Sequence, residues 1–161
     1  MADEIVRKKP NWAGLIGGIV TGVSLVGGVI GIRQYFAQNP RVNINGTWVI
    51  ALKIEKTSYA PYQNLDLTYT AQLIQDGNTF TGSGEKSTEA GHEVEGKAHT
   101  PIKIKGTLTS SSIDAEYTES GTERESHGEF HWKLQGGQWS GTFLSTAADE
   151  SGTATLKQVS Q

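Results

Sequence analysis

The chain has 161 residues, 20 of them glycine and none cysteine. It is long enough for one compact domain with an appendage, and neither disulfides nor thiolate metal sites can support it. The net charge of -3 conceals an asymmetry: Arg7, Lys8, Lys9 and Arg33 stand against Asp3 and Glu4 before Pro40, while ten Lys/Arg against fifteen Asp/Glu leave the remainder acidic. An acidic domain lacks the cations that neutralise a phosphate backbone, which argues against DNA or RNA as a partner.

After a tail at 1–12, residues 13–32 carry no charge. As a helix they would span about 30 Å, the thickness of a bilayer's hydrocarbon core. Trp12 on one side and Tyr35 and Phe36 on the other sit where interfacial aromatics belong. The stretch is long for a cleaved signal peptide and has no convincing cleavage site before Arg33. A single transmembrane α-helix is therefore expected over 13–36, followed by a linker at 37–42. Within it Gly14, Gly17, Thr21, Ser24, Gly28 and Gly31 recur at alternating steps of three and four. They would form one seam of small residues, along which helices approach closely in lipid. A homo-oligomer is the expected consequence. The flanking charges favour a cytoplasmic N-terminus by a margin of one.

From residue 43 to 161 the pattern changes to short alternating strands punctuated by Gly, Asn, Asp and Ser. Trp48, Ile50, Leu52 and Ile54 share one face of the first strand, and Leu65, Leu67, Tyr69, Ala71 and Leu73 one face of the second. Asp76-Gly77-Asn78 reads as a hairpin turn into a strand ending near Ser83. Ile102, Ile104 and Leu108, then Ile113, Ala115 and Tyr117, then Phe130, Trp132 and Leu134 continue the alternation. Gln135-Gly136-Gly137 turns into Trp139, Gly141 and Phe143, and a last strand covers 153–158. Residues 85–101 hold at most one short strand around Val94. About eight one-sided strands with short connections predict a small antiparallel up-and-down β-barrel, which closes the sheet edges; a two-sheet sandwich is the competitor.

Asn45-Gly46-Thr47-Trp48 resembles the Gly-x-Trp opening of lipocalin- and avidin-like barrels, and Trp139-Ser140-Gly141-Thr142-Phe143 is also avidin-like. The whole arrangement, a glycine-rich apolar segment, then Asn43-Ile44-Asn45-Gly46-Thr47-Trp48, then a minimal barrel ending in Gly152-Thr153-Ala154-Thr155-Leu156, resembles the membrane-anchored β-barrel effectors of bacterial CBASS anti-phage systems. That resemblance implies a barrel in the cytoplasm, anchored in the inner membrane. It also implies a cyclic di- or oligonucleotide as activating ligand, oligomerisation on binding, and disruption of the bilayer. The family usually carries two membrane helices where this sequence offers one. A single helix then requires an external N-terminus, against the small charge bias.

No catalytic constellation stands out, and neither an enzyme nor a cofactor is expected. His127 and His131 share a strand face but lie about 13 Å apart, too far to share a metal. Glu119, Glu123, Glu125 and Glu129 read as a solvated loop. Trp48, Tyr69, Tyr117, Trp132 and Trp139 are predicted to point inward, with Arg124 as a cation at the mouth, and form the candidate ligand set. Lys97, Lys103 and Lys105 are further cations, and Tyr59 and Tyr62 occupy the first long loop. The competing expectation is a lipocalin-like carrier of a lipid or other hydrophobe, tethered outside the cytoplasm.

Overall fold

The computed structural model describes residues 42–96 and 99–159. Nine antiparallel strands form one sheet: β1 (Gly46–Lys56), β2 (Asp66–Asp76), β3 (Thr79–Glu89), β4 (His92–Glu93), β5 (Pro101–Leu108), β6 (Ser112–Ser120), β7 (Glu125–Gln135), β8 (Gln138–Ser145) and β9 (Ser151–Gln158). Eight of them close a barrel in the order β2-β1-β9-β8-β7-β6-β5-β3, with β2 pairing back onto β3. The two-residue β4 only extends the end of β3. Each barrel strand thus pairs with its sequence neighbours, the up-and-down meander that the alternation predicts. The segment 13–36 lies outside the described residues, among which no helix is long and apolar enough to cross a membrane.

Period-two alternation places one row of each strand inside. Trp48, Ile50, Leu52 and Ile54 are buried on β1, and Leu67, Tyr69, Ala71 and Leu73 on β2. Tyr117, Phe130 and Trp132 form a continuous stack, with ring centroids 4.5 Å apart at both steps and planes within 22° and 20°. An eight-stranded barrel is just wide enough for its interior to be filled by side chains, and this stack does much of the filling. Leu134, expected inside with Phe130 and Trp132, is 37% exposed because it sits at the strand's end, beyond the packed layers.

Small residues make room for the rings. Across the ladders Phe80 faces Gly106, Tyr117 faces Gly128, Trp132 faces Gly141 and Phe143 faces Gly152. At Gly141 a Cβ would come within 1.8 Å of the His131 carbonyl oxygen, and at Gly128 within 2.4 Å of the Tyr117 ring. Glycine there lets adjacent backbones bend tightly and lets a ring lie over the neighbouring strand, the device that turns a sheet into a small barrel. A register shift at Thr68/Tyr69 between β2 and β3, and another at Ile54/Lys56 between β1 and β9, add curvature.

The two ends differ. At one, connections are tight: Gly77-Asn78, 109–111 and Gly136-Gly137. Residues 42–45 fold beneath this end as a floor. Ile44 is fully buried, and its carbonyl accepts a hydrogen bond from Trp48 Nε1 at 2.8 Å. The Ile44 amide donates to Gln75 Oε1 (2.9 Å), and the Gln75 amide donates to Asn45 Oδ1 (2.8 Å). Asn43, Ile44, Asn45 and Trp48 therefore act together as a plug. At the other end the connections are longer: 57–65, 90–100, 121–124 and 146–150. A short 3₁₀ turn, Ala60–Tyr62, lies there. The short strand expected around Val94 is the two-residue β4, just before it. β3 itself runs to Glu89, and His92–Glu93 pairs back onto it.

Candidate functional site

The open mouth holds a recess of about 160 Å³, lined by Ile54, Tyr62, Leu65, Leu67, Lys86, Glu89, Thr100, Glu119, Gly121, Arg124, Ser126, Ala147 and Glu150. Its position follows from the strand parities. The inward rows of β3, β6, β7 and β8 are apolar or glycine through the barrel and become polar at the last step. Phe80, Gly82 and Gly84 lead to Lys86; Ala115 and Tyr117 lead to Glu119; Gly128 leads to Ser126; Phe143 leads to Ser145. On β9, Ala154 and Gly152 lead back to Glu150 in the preceding loop. Interior side chains thus switch from a hydrocarbon core to ionisable groups within one layer.

Lys86 is the inward cation, its Nζ 2.8 Å from Glu89 Oε2 and its side chain only 15% exposed. Tyr69 donates its hydroxyl to Glu119 Oε1 at 3.0 Å. Burial, with Glu119 adding to it, pushes the Tyr69 phenol well above its ordinary value. Burial also raises Glu119, against the pull of its hydrogen bond from Tyr69 and the charge of Lys86. Tyr117, beneath the mouth, donates to the Leu144 carbonyl at 3.3 Å and is raised by burial. Glu150 is raised furthest among the carboxyls, to about 7, by burial first and then by the charge of Glu119, with Arg124 and Lys86 opposing. Arg124, on the β6–β7 loop, is exposed and makes no ion pair among the described residues.

Of the candidate ligand residues, Tyr69, Tyr117 and Arg124 gather at or just below this mouth. Trp48, Trp132 and Trp139 do not. Trp48 belongs to the floor plug, Trp132 ends the aromatic stack, and Trp139 packs where β8 begins. Their burial is that of barrel filling, because rings at these levels are needed to close the interior. Lys103 and Lys105 point outward on β5, and Lys97 lies outside the described residues. Tyr62 lines the recess and meets Tyr59 edge-on at 4.9 Å. Gly14, Gly17, Thr21, Ser24, Gly28 and Gly31 also lie outside the described residues.

Lys86, Glu89 and Glu150 are mouth residues that the sequence pattern does not mark, and Glu119 reads in the sequence as part of a solvated loop. It stands instead on β6, facing inward, while Glu125 and Glu129 stand outward on β7. Extending each inward row by two residues past its last apolar member would have found Glu119. The larger concavities, of about 650 and 590 Å³, are open grooves on the outer wall, between side-chain rows of β3 and β5 to β8. Most of their charges are paired: Lys105 with Glu116 across strands at 2.9 Å, and His131 with Asp114 across strands at 2.9 Å and with Glu129 on its own strand at 3.4 Å. The Asp114 contact raises the His131 pKa. Exposed cross-strand pairs of this kind are ordinary sheet chemistry, so the mouth is the stronger candidate. Among the described residues no group of three His, Asp or Glu is placed to hold a metal ion. No protein-family profile and no curated protein sequence matches this chain.

Proposed function

We propose that the protein is a membrane-anchored effector whose barrel binds a cyclic di- or oligonucleotide at its open mouth. Its apolar segment, residues 13–36, answers by assembling in the bacterial inner membrane and disrupting it in anti-phage defence. The observation that carries the reading is a barrel filled everywhere except at one end, where Lys86, Arg124 and Tyr62 meet around a recess. Cations and an aromatic ring at a mouth are what a phosphate-bearing, base-bearing ligand needs. The recess is smaller than a whole-ligand pocket, so one moiety enters while the rest lies across the loops at the rim. The resemblance of Asn43 to Trp48 and of the chain's general arrangement to CBASS effectors supports the same reading, as does the small-residue seam from Gly14 to Gly31. A cytoplasmic barrel would give a second messenger direct access.

The carrier reading is less well supported. A lipid or other hydrophobe needs an apolar chamber, and Phe80, Phe130, Trp132 and Phe143 occupy the space it would require. The test is thermal melting of the full chain in detergent with a panel of cyclic nucleotides and, separately, fatty acids. A ligand at 100 times its dissociation constant stabilises the native state by about 2.7 kcal/mol. A shift with a cyclic nucleotide is expected. No shift across that panel, with a clear one for fatty acids, refutes the effector reading in favour of the carrier.

A further inference from the structure

Glu150 has no partner. It is 6% exposed and lines the mouth recess, yet its carboxylate makes no hydrogen bond or ion pair among the described residues. Its placement is specific. Ala148 and Asp149 both take left-handed backbone conformations, with φ of 48° and 51°. The loop they turn is tied down on both sides. Ser58 N donates to the Ala148 carbonyl (2.7 Å), Glu150 N to the Ala147 carbonyl (3.1 Å), and Ser145 N to the Glu150 carbonyl (2.8 Å). The enclosed unpaired side-chain atoms among the described residues are Asn78 Oδ1 and Trp132 Nε1, so the Glu150 oxygens, unbonded within the protein, stay accessible from the recess and open to a donor brought by a ligand. Beside it Glu119 accepts at Oε1 from the Tyr69 hydroxyl and also interacts with the Ser126 hydroxyl. An ionised carboxylate offers about four lone-pair sites. The interior of the recess is therefore rich in unused acceptors, while its cations are Lys86, already paired with Glu89, and Arg124 at the rim.

Such a surface selects a flat group that presents two adjacent N–H donors. Guanine does so with N1–H and its exocyclic N2–H. Adenine, cytosine and uracil each set an acceptor beside a donor on the same edge, and that acceptor would face carboxylate lone pairs. We infer that the recess reads one base of the ligand by its Watson–Crick edge and selects guanine, with Glu150 as the specificity-determining residue. This deepens the proposed function and rests on it. The base enters edge-first, and the phosphates stay at the rim with Arg124.

The test is calorimetric titration of the full chain in detergent with cyclic di-GMP, cyclic di-AMP and cyclic di-UMP, for the parent and for Glu150→Gln. Agmatine is a fourth ligand, carrying paired N–H donors without base or phosphate. A well-placed bidentate contact discriminates between bases by roughly 5- to 150-fold. The parent should prefer cyclic di-GMP by a factor in that range. Glu150→Gln, which trades one acceptor for a donor at constant volume, should lose most of the preference while still binding at least one cyclic dinucleotide. Far-ultraviolet circular dichroism checks that the variant is folded. Preference for the adenine or uracil ligand, or a guanine preference unchanged in the variant, overturns the inference and leaves the effector reading standing. Failure of all three cyclic dinucleotides overturns the inference, and the effector reading falls with it only when the wider cyclic-nucleotide panel also gives no melting shift.

Discussion

Glu150→Gln also tests the electrostatics of the mouth without any ligand. The Glu150 carboxyl lies at about 7 in the folded chain against an ordinary value of 4.5, with burial the largest cause. Between those values the native state binds more protons than the unfolded state, so stability falls as pH rises through that window. Above it the ionised carboxylate costs the fold its full increment, roughly 3 kcal/mol at 1.36 kcal/mol per unit. Glutamine is nearly isosteric and does not titrate. The variant should match the parent near pH 4, gain progressively from about pH 5, and be more stable by up to about 3 kcal/mol at pH 8. For a barrel of this size that corresponds to a melting shift on the order of 10 °C. Parallel melts of the full chain from pH 4 to pH 8 measure it. His131, raised by Asp114, also weakens the fold as pH rises, but it is common to both proteins and cancels in the difference. Glu119, Glu89, Lys86, Arg124 and Tyr69 face the same recess, so the titration belongs partly to the group. A pH-independent difference, or a variant less stable at pH 8, would show that a cation already pairs with Glu150 and sink the reasoning.

Two further perturbations probe the barrel and the apolar segment. Gly141→Ala places a Cβ 1.8 Å from the His131 carbonyl oxygen and should lower stability by about 3 kcal/mol in urea unfolding. Gly136→Asn, at φ 58° with open space around it, should change it by less than about 0.5 kcal/mol; equal effects would remove the close-approach account of the inward glycines. Replacing both Gly17 and Gly28 with Leu should abolish crosslinked oligomers while membrane localisation and ligand binding persist, whereas Ile19→Leu with Val26→Leu should be silent. Unchanged oligomers in the seam variant would assign assembly to another contact.

The barrel was legible wherever its inward rows were hydrocarbon. β1, β2, β6 and β8 carry three or more large apolar or aromatic residues on the inward row, or two flanking a glycine or alanine, and burial enforces that period. β3 was half legible because its inward row is Phe80, Gly82, Gly84 and Lys86. Only the first is apolar, so the pattern fades after Ser83 although pairing with β2 continues to Glu89. The role of the glycines was not legible either. Gly141 reads as a strand member between Trp139 and Phe143, but nothing in the sequence gives it, Gly106, Gly128 or Gly152 a role, and each becomes intelligible only opposite the ring on the adjacent strand.

The site was hidden for a related reason. Aromatic residues suggest a ligand, but a barrel this narrow needs them for filling, so Trp48, Trp132 and Trp139 are occupied by the floor and the core. Charged residues near loops suggest solvent, yet the inward parity of a strand continues for a residue or two beyond its apolar part. That continuation carries Glu119 and Lys86 to the mouth, and two left-handed residues carry Glu150 there from a loop. Hydrocarbon at this level would have sealed the barrel at both ends. Ionisable groups instead leave one end recessed, with Glu150 and Lys86 inside and Arg124 exposed at the rim. The contrast between a hydrogen-bonded floor and an underfilled mouth is what leaves the barrel recessed at one end only.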